Sequence, residues 1–299
     1  MRAYGGIWAC AAGLAIAAGA GGAAGKVGPL PAVVTPAGPW AATSDGRLVR
    51  LDPATGAVRA RSARLGYPFS IAADGVRVWV ADGRGDRLLR LSGEGAIEAR
   101  RHLPGFASGV GVGGSSAWVL VHPPGARSGY ELLRVDRGSL AIRGRFHLGR
   151  RFAALAVSED RVWLAIDPDR RRPGMLIALD ERRGTVVLRR REKAGIRALA
   201  ADPATVTFLT GGSRPRIVRV GATGRPLWAR GAPANAGLVA AAAGRVWVGT
   251  ICGGATCRLD RASVTPTVIG TARSRAGRPA PGAPATVGWR GGRSCSRRV

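Results

Sequence analysis

Acidic and imidazole side chains recur at one place in this sequence, three or four residues beyond an aromatic residue that returns at intervals of about 40 positions. Asp82, His122 and Asp167 stand there, and Thr43 and Thr250 hold the equivalent place in other copies. Two carboxylates and an imidazole could hold a divalent cation or act as a general acid and base. We take the five residues as candidate ligand-binding residues, and the first three as the candidate catalytic residues.

The aromatic residue belongs to a repeat that organises most of the chain. Its copies, flanked by β-branched or small residues, are Trp40, Trp79, Trp118, Trp163, Phe208 and Trp247, with Trp289 as a weak last copy. A second motif, such as RLLRLS at 87–92, follows the first six copies in phase. A period near 40 residues built from short strands is typical of a β-propeller. The sequence predicts an all-β fold, a β-propeller of six to seven four-stranded blades.

One unit can be divided into strands from its turns. In residues 68–103 the innermost strand is expected at 69–73, the second at 76–81, the third at 87–91 and the outer one at 96–102. Asp74-Gly75 and Gly93 to Gly95 supply turns between them. We expect six recognisable blades within 25–270, followed at 271–299 by a basic tail rich in proline and glycine or by a partial seventh blade.

Several recurring residues have a purely structural interpretation. The tryptophans stand among valines and leucines, which favours a place in the core over a ligand platform. Asp52, Asp136, Asp180 and Asp260 end the third strand, where an Asp side chain accepts hydrogen bonds from the backbone two residues on. In the same way, the candidate site residues could cap strand ends and form turns. The sequence leaves both interpretations open for them.

The first 24 residues have the pattern of a secretory signal peptide. Arg2 gives a short positive region, residues 7–18 are apolar, and small residues follow. The apolar run is too short to span a bilayer, so no transmembrane segment is expected. We expect an exported, monomeric protein, the alternative being a cytoplasmic one with an Ala/Gly-rich leader.

The charge of the chain is strongly positive. Its 46 basic residues outnumber 18 acidic ones, for a formal net charge of +28, and only Lys26 and Lys193 are lysines. Such a field attracts polyanions without a specific site. The arginines are spread along the chain, which favours general over-use and non-specific polyanion binding over a dedicated nucleic-acid surface.

The repeats resemble a known family. Residues 76–82 (VRVWVAD) and 48–56 (LVRLDPATG) are similar to the repeats of YVTN-type and streptogramin-lyase-like bacterial β-propellers, over about residues 31–270. Residues 176–184 and 218–228, with Trp228, resemble quinoprotein-type repeats more weakly, and quinone binding does not follow from one such copy.

The family resemblance implies an exported propeller. We expect a binding or scaffolding module for an unknown protein or small-molecule ligand. The alternative is a lyase or lactone hydrolase. Such an enzyme would have an acid/base site, or a metal site that holds a divalent cation, at the mouth of the central channel.

Cys252 and Cys257 flank four residues, Gly-Gly-Ala-Thr, in the sixth repeat. In an exported protein a tight hairpin there would allow a disulfide, while a metal site would need further ligands nearby. Cys10 would leave with the leader, which leaves Cys295 without an assigned partner.

We expect Cys252 and Cys257 to be disulfide-bonded in protein recovered from an oxidising compartment. Because the bridge closes a short loop, reduction should cost only about 1–3 kcal/mol of stability. Intact-mass measurement after alkylation without reductant checks this, and two alkylated thiols at these positions would contradict it.

Overall fold

The computed structural model describes residues 31–250, apart from 44, 126–128, 149–151, 167, 169–172, 235 and 243–244, together with two short strands at 13–14 and 267–268. Within that part the chain is folded into strands, and no helix long and apolar enough to cross a membrane occurs there. The rest of the predicted leader, the Cys252–Cys257 pair and residues 271–299 lie outside the described residues.

Consecutive strands pair antiparallel and form separate sheets, the blades. β1 (Gly13–Leu14) adds to the inner edge of blade 1, which consists of β2 (Ala32–Thr35), β3 (Gly38–Ala42), β4 (Leu48–Leu51) and β5 (Val58–Arg61). Blade 2 consists of β6 (Pro68–Asp74), β7 (Arg77–Asp82), β8 (Arg87–Leu91) and β9 (Ile97–His102). Blade 3 consists of β10 (Phe106–Val112), β11 (Ser116–His122), β12 (Glu131–Asp136) and β13 (Ile142–His147). Blade 4 consists of β14 (Phe152–Val157), β15 (Arg161–Ile166), β16 (Gly174–Asp180) and β17 (Val186–Glu192). Blade 5 consists of β18 (Ile196–Ala201), β19 (Thr205–Thr210), β20 (Arg216–Gly221) and β21 (Pro226–Gly231).

The prediction of six to seven four-stranded blades is wrong, because the described chain builds five. The sixth repeat contributes the hairpin of β22 (Ala236–Ala242) and β23 (Arg245–Thr250), to which only the two-residue β24 (Thr267–Val268) is added. Blades 2 to 5 bury two neighbouring apolar residues of the third strand, such as Leu88 and Leu89. The sixth sequence copy has Thr256 and Cys257 at those positions. The sixth copy of the motif in the sequence therefore corresponds to no sixth four-stranded blade among the described residues.

The strand prediction within one unit is confirmed. Blade 2 has its four strands in the expected order, and β8 spans the predicted residues 87–91. Gly75, in the turn between β6 and β7, has a φ of +57°, and Gly95, in the turn between β8 and β9, has a φ of +88°. Glycine adopts this backbone conformation without strain. Asp52, Asp136 and Asp180 accept the predicted turn hydrogen bonds from backbone N–H groups, at 2.8–3.1 Å. Asp260 lies outside the described residues.

The core lies between blades, and the second strand of each blade is its centre. The side chains of Trp40, Trp79, Trp118 and Trp163, together with Phe208, are buried there. The predicted structural role of these tryptophans is confirmed. The inner strand of each blade packs against the inner strand of the next, from β2 through β6, β10, β14 and β18 to β22. Small residues on the inner strands, such as Ala72 and Ala200, allow this close approach.

An arginine on the third strand lies opposite the tryptophan in blades 1, 2 and 3. Arg50, Arg90 and Arg134 face Trp40, Trp79 and Trp118 across the strand pair. The guanidinium carbons of Arg90 and Arg134 lie 5.7 and 5.9 Å from the indole ring centroids, within cation–π range. These side chains are not simply solvated: Arg134 bonds to Ser116 within its own blade, whereas Arg50 and Arg90 reach the neighbouring blade.

The first two of these arginines bond directly to the next blade. Arg50 donates to the carbonyl of Gly93 at 2.7 Å and pairs with Glu94, both in the third turn of blade 2. Arg90 donates to the carbonyls of Arg137 and Gly138 in the same turn of blade 3. We call these contacts the arginine bridges. Each one joins the core of one blade to a backbone turn of the next.

Between blades 3 and 4 a buried carboxylate completes the connection. Glu181, 0% exposed, reaches from blade 4 and accepts hydrogen bonds from the backbone N–H of Ser116 at 2.9 Å and from the indole of Trp118 at 3.3 Å. Arg134 donates to the Ser116 hydroxyl at 2.8 Å. A Cβ at Gly113 would lie 2.6 Å from Cγ of Glu181, so this position has room for glycine only.

Blade 4 has no third-strand arginine, because Ala178 faces Trp163. Arg190 of the outer strand β17 takes over the connection. It donates to the carbonyl of Gly224 in blade 5 at 2.9 Å, and its guanidinium lies 6.0 Å from the ring centroid of Phe208. The blade-to-blade connection is thus retained although the arginine comes from a different strand.

We expect Arg90→Ala to lower the free energy of unfolding by about 1–3 kcal/mol, since a half-buried side chain loses its bonds to blade 3 and its stacking on Trp79. Thermal and denaturant unfolding measure this loss. Arg100→Ala is the matched control, because Arg100 is exposed on the outer strand of the same blade. That variant should stay within about 0.5 kcal/mol of the wild type. Equal losses in both variants would contradict the bridge.

Candidate functional site

Each described inner strand from β6 onward carries a β-bulge at its second or third residue. The register shifts there between β6 and β7, and again in the following repeats, so that one residue has no partner on the second strand. The bulged residues are Phe69, Ser108, Ala153, Arg197 and Gly237. A bulge re-aims side chains and is common beside functional sites. All five lie on the rim where the second strands end, which we call the upper rim.

Aromatic rings gather on the upper rim of blades 2 and 3. Phe69 lies between Tyr67 and Phe106, with ring centroids 5.9 and 5.2 Å apart. His122 pairs with Phe106 across β10 and β11, and its ring lies 5.1 Å from that of Tyr130. Tyr67 is 44% and Phe106 37% exposed. We call these five residues the aromatic surface.

The aromatic surface concentrates a residue type that is scarce in this chain. The sequence has three tyrosines and five phenylalanines, and four of these eight residues lie in it. A Cβ at Gly83 would lie 2.6 Å from Cε2 of Phe106, so a glycine there makes room for the ring. Exposed aromatic clusters of this kind mark interaction sites more often than scattered single residues do.

Asp82 fixes the backbone of this surface from below. Its side chain is fully buried, and Oδ1 accepts the N–H of Tyr67 at 2.6 Å. Oδ2 accepts the N–H of Gly66 at 3.2 Å and the Arg87 guanidinium at 2.6 Å. Burial alone would raise the pKa of Asp82, but the N–H of Tyr67 and the Arg87 guanidinium outweigh it, and the pKa lies below its usual value. Asp82 is an anchor for residues 66–67.

Of the other candidate residues, the structure describes the side chains of Thr43 and His122, which lie in different blades. Thr43 bonds within its own hairpin, donating to Asp45 and to the carbonyl of Arg47. His122 belongs to the aromatic surface. Thr250 ends β23 opposite Ala236, and its side chain lies outside the described part of the structure, as does all of Asp167. The hydrogen bonds described for Thr43 and Asp82 are therefore made, in each case, within one blade and the connection that leads into it, and none of them joins two candidates.

Sequence reasoning missed Tyr67, Phe69 and Phe106. It followed the end of the second strand, whereas these residues begin the inner strand or precede it. The register of the bulge, which is not visible in the sequence, decides where Phe69 points. The available signal was the presence of aromatic residues at equivalent positions of two consecutive repeats, Tyr67 and Phe106.

One small cavity lies among the inner strands of blades 2 to 5. Its volume is about 30 Å³, close to the volume of one water molecule, and it is lined by residues such as Ser70, Ala72, Val110, Leu155 and Ala156. The Ser70 hydroxyl accepts the N–H of Val110 at 3.2 Å. No three His, Cys, Asp or Glu side chains come together as metal ligands among the described residues. The expected divalent cation stays a prediction.

Another buried carboxylate, Asp202, lies in blade 5 at the rim opposite the upper rim. Asp202 pairs with Arg219, whose Nη2 lies 2.5 Å from Oδ2. Burial raises the pKa of Asp202, and the Arg219 charge opposes this without cancelling it. The pair links two strands of one blade and lies away from the aromatic surface.

The comparisons with known proteins identify the fold. The chain is similar to hydrazine synthase of Kuenenia stuttgartiensis, at 12% identity over 73% of this chain and 75% of that one, with a TM-score of 0.53. It is also similar to the Pan2 WD40 domain of Neurospora crassa, at 11% identity over 71% of each chain and the same TM-score of 0.53. The chain also matches BamB from Moraxella catarrhalis at 21% identity, with a TM-score of 0.41. This match covers 60% of this chain and 60% of the length of BamB.

These likenesses show a β-propeller, and at such identities they show the fold alone. Neither a protein-family model nor a curated protein matches the chain. The β-propeller part of the sequence prediction is confirmed. The resemblance to YVTN-type and streptogramin-lyase-like propellers stays a prediction, as does the weaker one to quinoprotein repeats.

We expect Asp82 to contribute to a loss of stability in acid. Because its folded pKa is lowered, the stabilisation is fully present above the unfolded value of about 3.9 and is lost as pH falls below it through the folded pKa. Asp82→Asn should therefore unfold more easily at pH 7, and its deficit relative to the wild type should shrink toward pH 2. Melting temperatures of both proteins across this range measure it.

Asp160→Asn is the control, because the Asp160 side chain is 62% exposed. It should track the wild type at every pH. A deficit of Asp82→Asn that stays constant with pH would show that ionisation of Asp82 does not stabilise the fold.

Proposed function

We propose that this protein is an exported β-propeller binding or scaffolding module that holds a protein partner on its aromatic surface. The observation that carries the proposal is the row of contacting rings on one rim, with Tyr67 and Phe106 exposed beside Phe69. Aromatic anchors of this kind dominate the energetics of protein interfaces. The export part of the proposal rests on the leader at residues 1–24.

The aromatic surface is prepared for binding before a partner arrives. Asp82 holds the N–H groups of Gly66 and Tyr67, and Phe69 is fixed by its contacts with the rings on both sides. Ordering loops and side chains on association costs free energy, and a surface that is already ordered avoids much of that cost. Tyrosine and phenylalanine also bring large contact areas with few rotatable bonds.

Binding is better supported than catalysis by the described residues. Both oxygens of Asp82 are occupied by N–H donors, which leaves that carboxylate poorly placed as a base or a metal ligand. His122 is in ring contact with Tyr130 and lies within the aromatic surface. The same residue that was a candidate for acid/base chemistry can thus serve as part of the contact area.

A photo-crosslinking residue placed on the surface tests the proposal in the host. With p-benzoylphenylalanine in place of Tyr67 or Phe106, we expect one discrete crosslinked protein. With the same residue in place of Val76, exposed on the opposite rim, we expect none. Mass spectrometry of the product identifies the partner and the contact site.

Tyr67→Ser combined with Phe106→Ser should reduce recovery of that partner at least tenfold, with unchanged melting temperature. Equal crosslinking from position 76, or full recovery with the double variant, would refute the aromatic surface as the site. A full-length chain retained in the cytoplasm would refute export and leave the binding result intact.

A further inference from the structure

Positive charge is concentrated in one part of the propeller. Residues 182–231 contain twelve arginines and lysines but only two acids, Glu192 and Asp202. Both acids already have arginine neighbours in this region. Glu192 lies 3.9 Å from Arg190, and Asp202 lies 2.5 Å from Arg219. The remaining cations of this stretch are exposed and take part in no ion pair among the described residues.

Two loops of the upper rim bring four of these cations into one neighbourhood. The connection 193–195 leads from blade 4 to blade 5, and the hairpin 211–215 joins β19 to β20. The N–H of Gly211 donates to the carbonyl of Gly195 at 3.1 Å. A Cβ at Gly211 would lie 2.4 Å from the carbonyl oxygen of Ala194 and 3.7 Å from Nε of Arg197, so the loops are in close contact.

The cations are carried by these loops and their immediate ends. They are Lys193, Arg197, Arg214 and Arg216, all exposed. Arg197 is the bulged residue of β18, which places it on the rim in the way that the bulge of blade 2 places Phe69. No acidic residue other than Glu192 occurs in either loop or within two residues of its ends.

The hairpin also offers uncharged donors. Gly212 has a φ of +83°, the left-handed conformation from which anion-binding backbone concavities are built. Among the described residues, no hydrogen bond uses the backbone N–H groups of Gly212, Ser213 or Arg214, whereas that of Arg216 is held by the Thr210 hydroxyl at 2.8 Å. The Ser213 hydroxyl lies in the same exposed stretch.

We propose that the hairpin 211–215 and the connection 193–197 form a binding site for the tetrahedral oxyanion of a phosphate or sulfate group. Arg197, Arg214 and Arg216 supply planar guanidinium donors that match two oxygens of such a group, and Lys193 supplies a further positive charge. The N–H groups of the hairpin add hydrogen bonds. The site takes the anion either free or as a monoester on a small molecule.

The surroundings favour a small charged ligand over a lipid surface. Among the described residues of blades 4 and 5, the large aliphatic side chains that are exposed are Val186, Val187 and Leu227. They begin the outer strands β17 and β21, at the rim opposite the cations. Among the described residues of the two loops and their surroundings, the exposed apolar side chains are those of Ala194 and Pro168, which are small and offer little area to a membrane.

Calorimetric titration of the full chain with inorganic phosphate, inorganic sulfate and glucose 6-phosphate, at fixed ionic strength, tests the proposal. We expect saturable binding of one equivalent. Arg197→Gln with Arg214→Gln should weaken it at least tenfold. The control is Arg100→Gln with Arg101→Gln, which removes the same charge from exposed positions of β9 and should change the affinity less than twofold.

Lys193→Gln with Arg216→Gln is a second site variant in case the first does not fold, as judged by its melting temperature. Tighter binding of glucose 6-phosphate than of inorganic phosphate assigns the site to an ester, and equal or weaker binding assigns it to the free ion. Unsaturable binding, or equal weakening by the site and control variants, would overturn the proposal, because the net charge alone would then explain the attraction.

Discussion

The structure depends on how each blade is joined to the next. A propeller blade is a small sheet with two faces, and neither face is stable unless a neighbouring blade covers it. Here the indole of the second strand fills the space between blades, and an arginine opposite it reaches a backbone turn of the following blade. The contact between two blades thus combines buried apolar area with directional hydrogen bonds. Because the hydrogen bonds require one geometry, they define how each blade sits against the next.

The arginine bridges tolerate change in the residue that makes them. Blade 4 has lost its third-strand arginine, and Arg190 reaches Gly224 from the outer strand instead. Between blades 3 and 4 the buried Glu181 accepts bonds that an arginine alone could not make. Arg190 makes an equivalent contact, because it reaches the third turn of blade 5 as Arg50 and Arg90 reach the third turns of blades 2 and 3.

Because stacking consumes the faces of the blades, the rims remain for binding. From blade 2 onward, the bulge on the inner strand places one residue per repeat on the upper rim, and the type of this residue differs between blades. Blade 2 has Phe69 there and blade 5 has Arg197. The same β-bulge therefore places an aromatic side chain on the upper rim in blade 2 and a positively charged one in blade 5.

The arginines that give the chain its large positive charge have different structural roles, which the composition alone does not distinguish. Some arginines are bridges with little exposure, such as Arg50 and Arg90. Others, such as Arg100 and Arg101, stand on outer strands, which are sheet edges, and charges on an edge strand hinder pairing with another chain. A third group gathers on the upper rim of blades 4 and 5. The even distribution along the sequence conceals this division.

The sequence by itself determined the propeller fold, the strands of a unit, the burial of the tryptophans and the turn role of Asp52, Asp136 and Asp180. Each of these follows from local alternation, turn chemistry or a period, which are readable along the chain. Blade number was decided by whether the sixth repeat completes its sheet, which depends on packing against neighbours. The role of Asp82 and the place of Phe69 and Arg197 were decided by contacts between repeats and by the register of a bulge. Such contacts join residues far apart in the chain, so only the tertiary structure could show them.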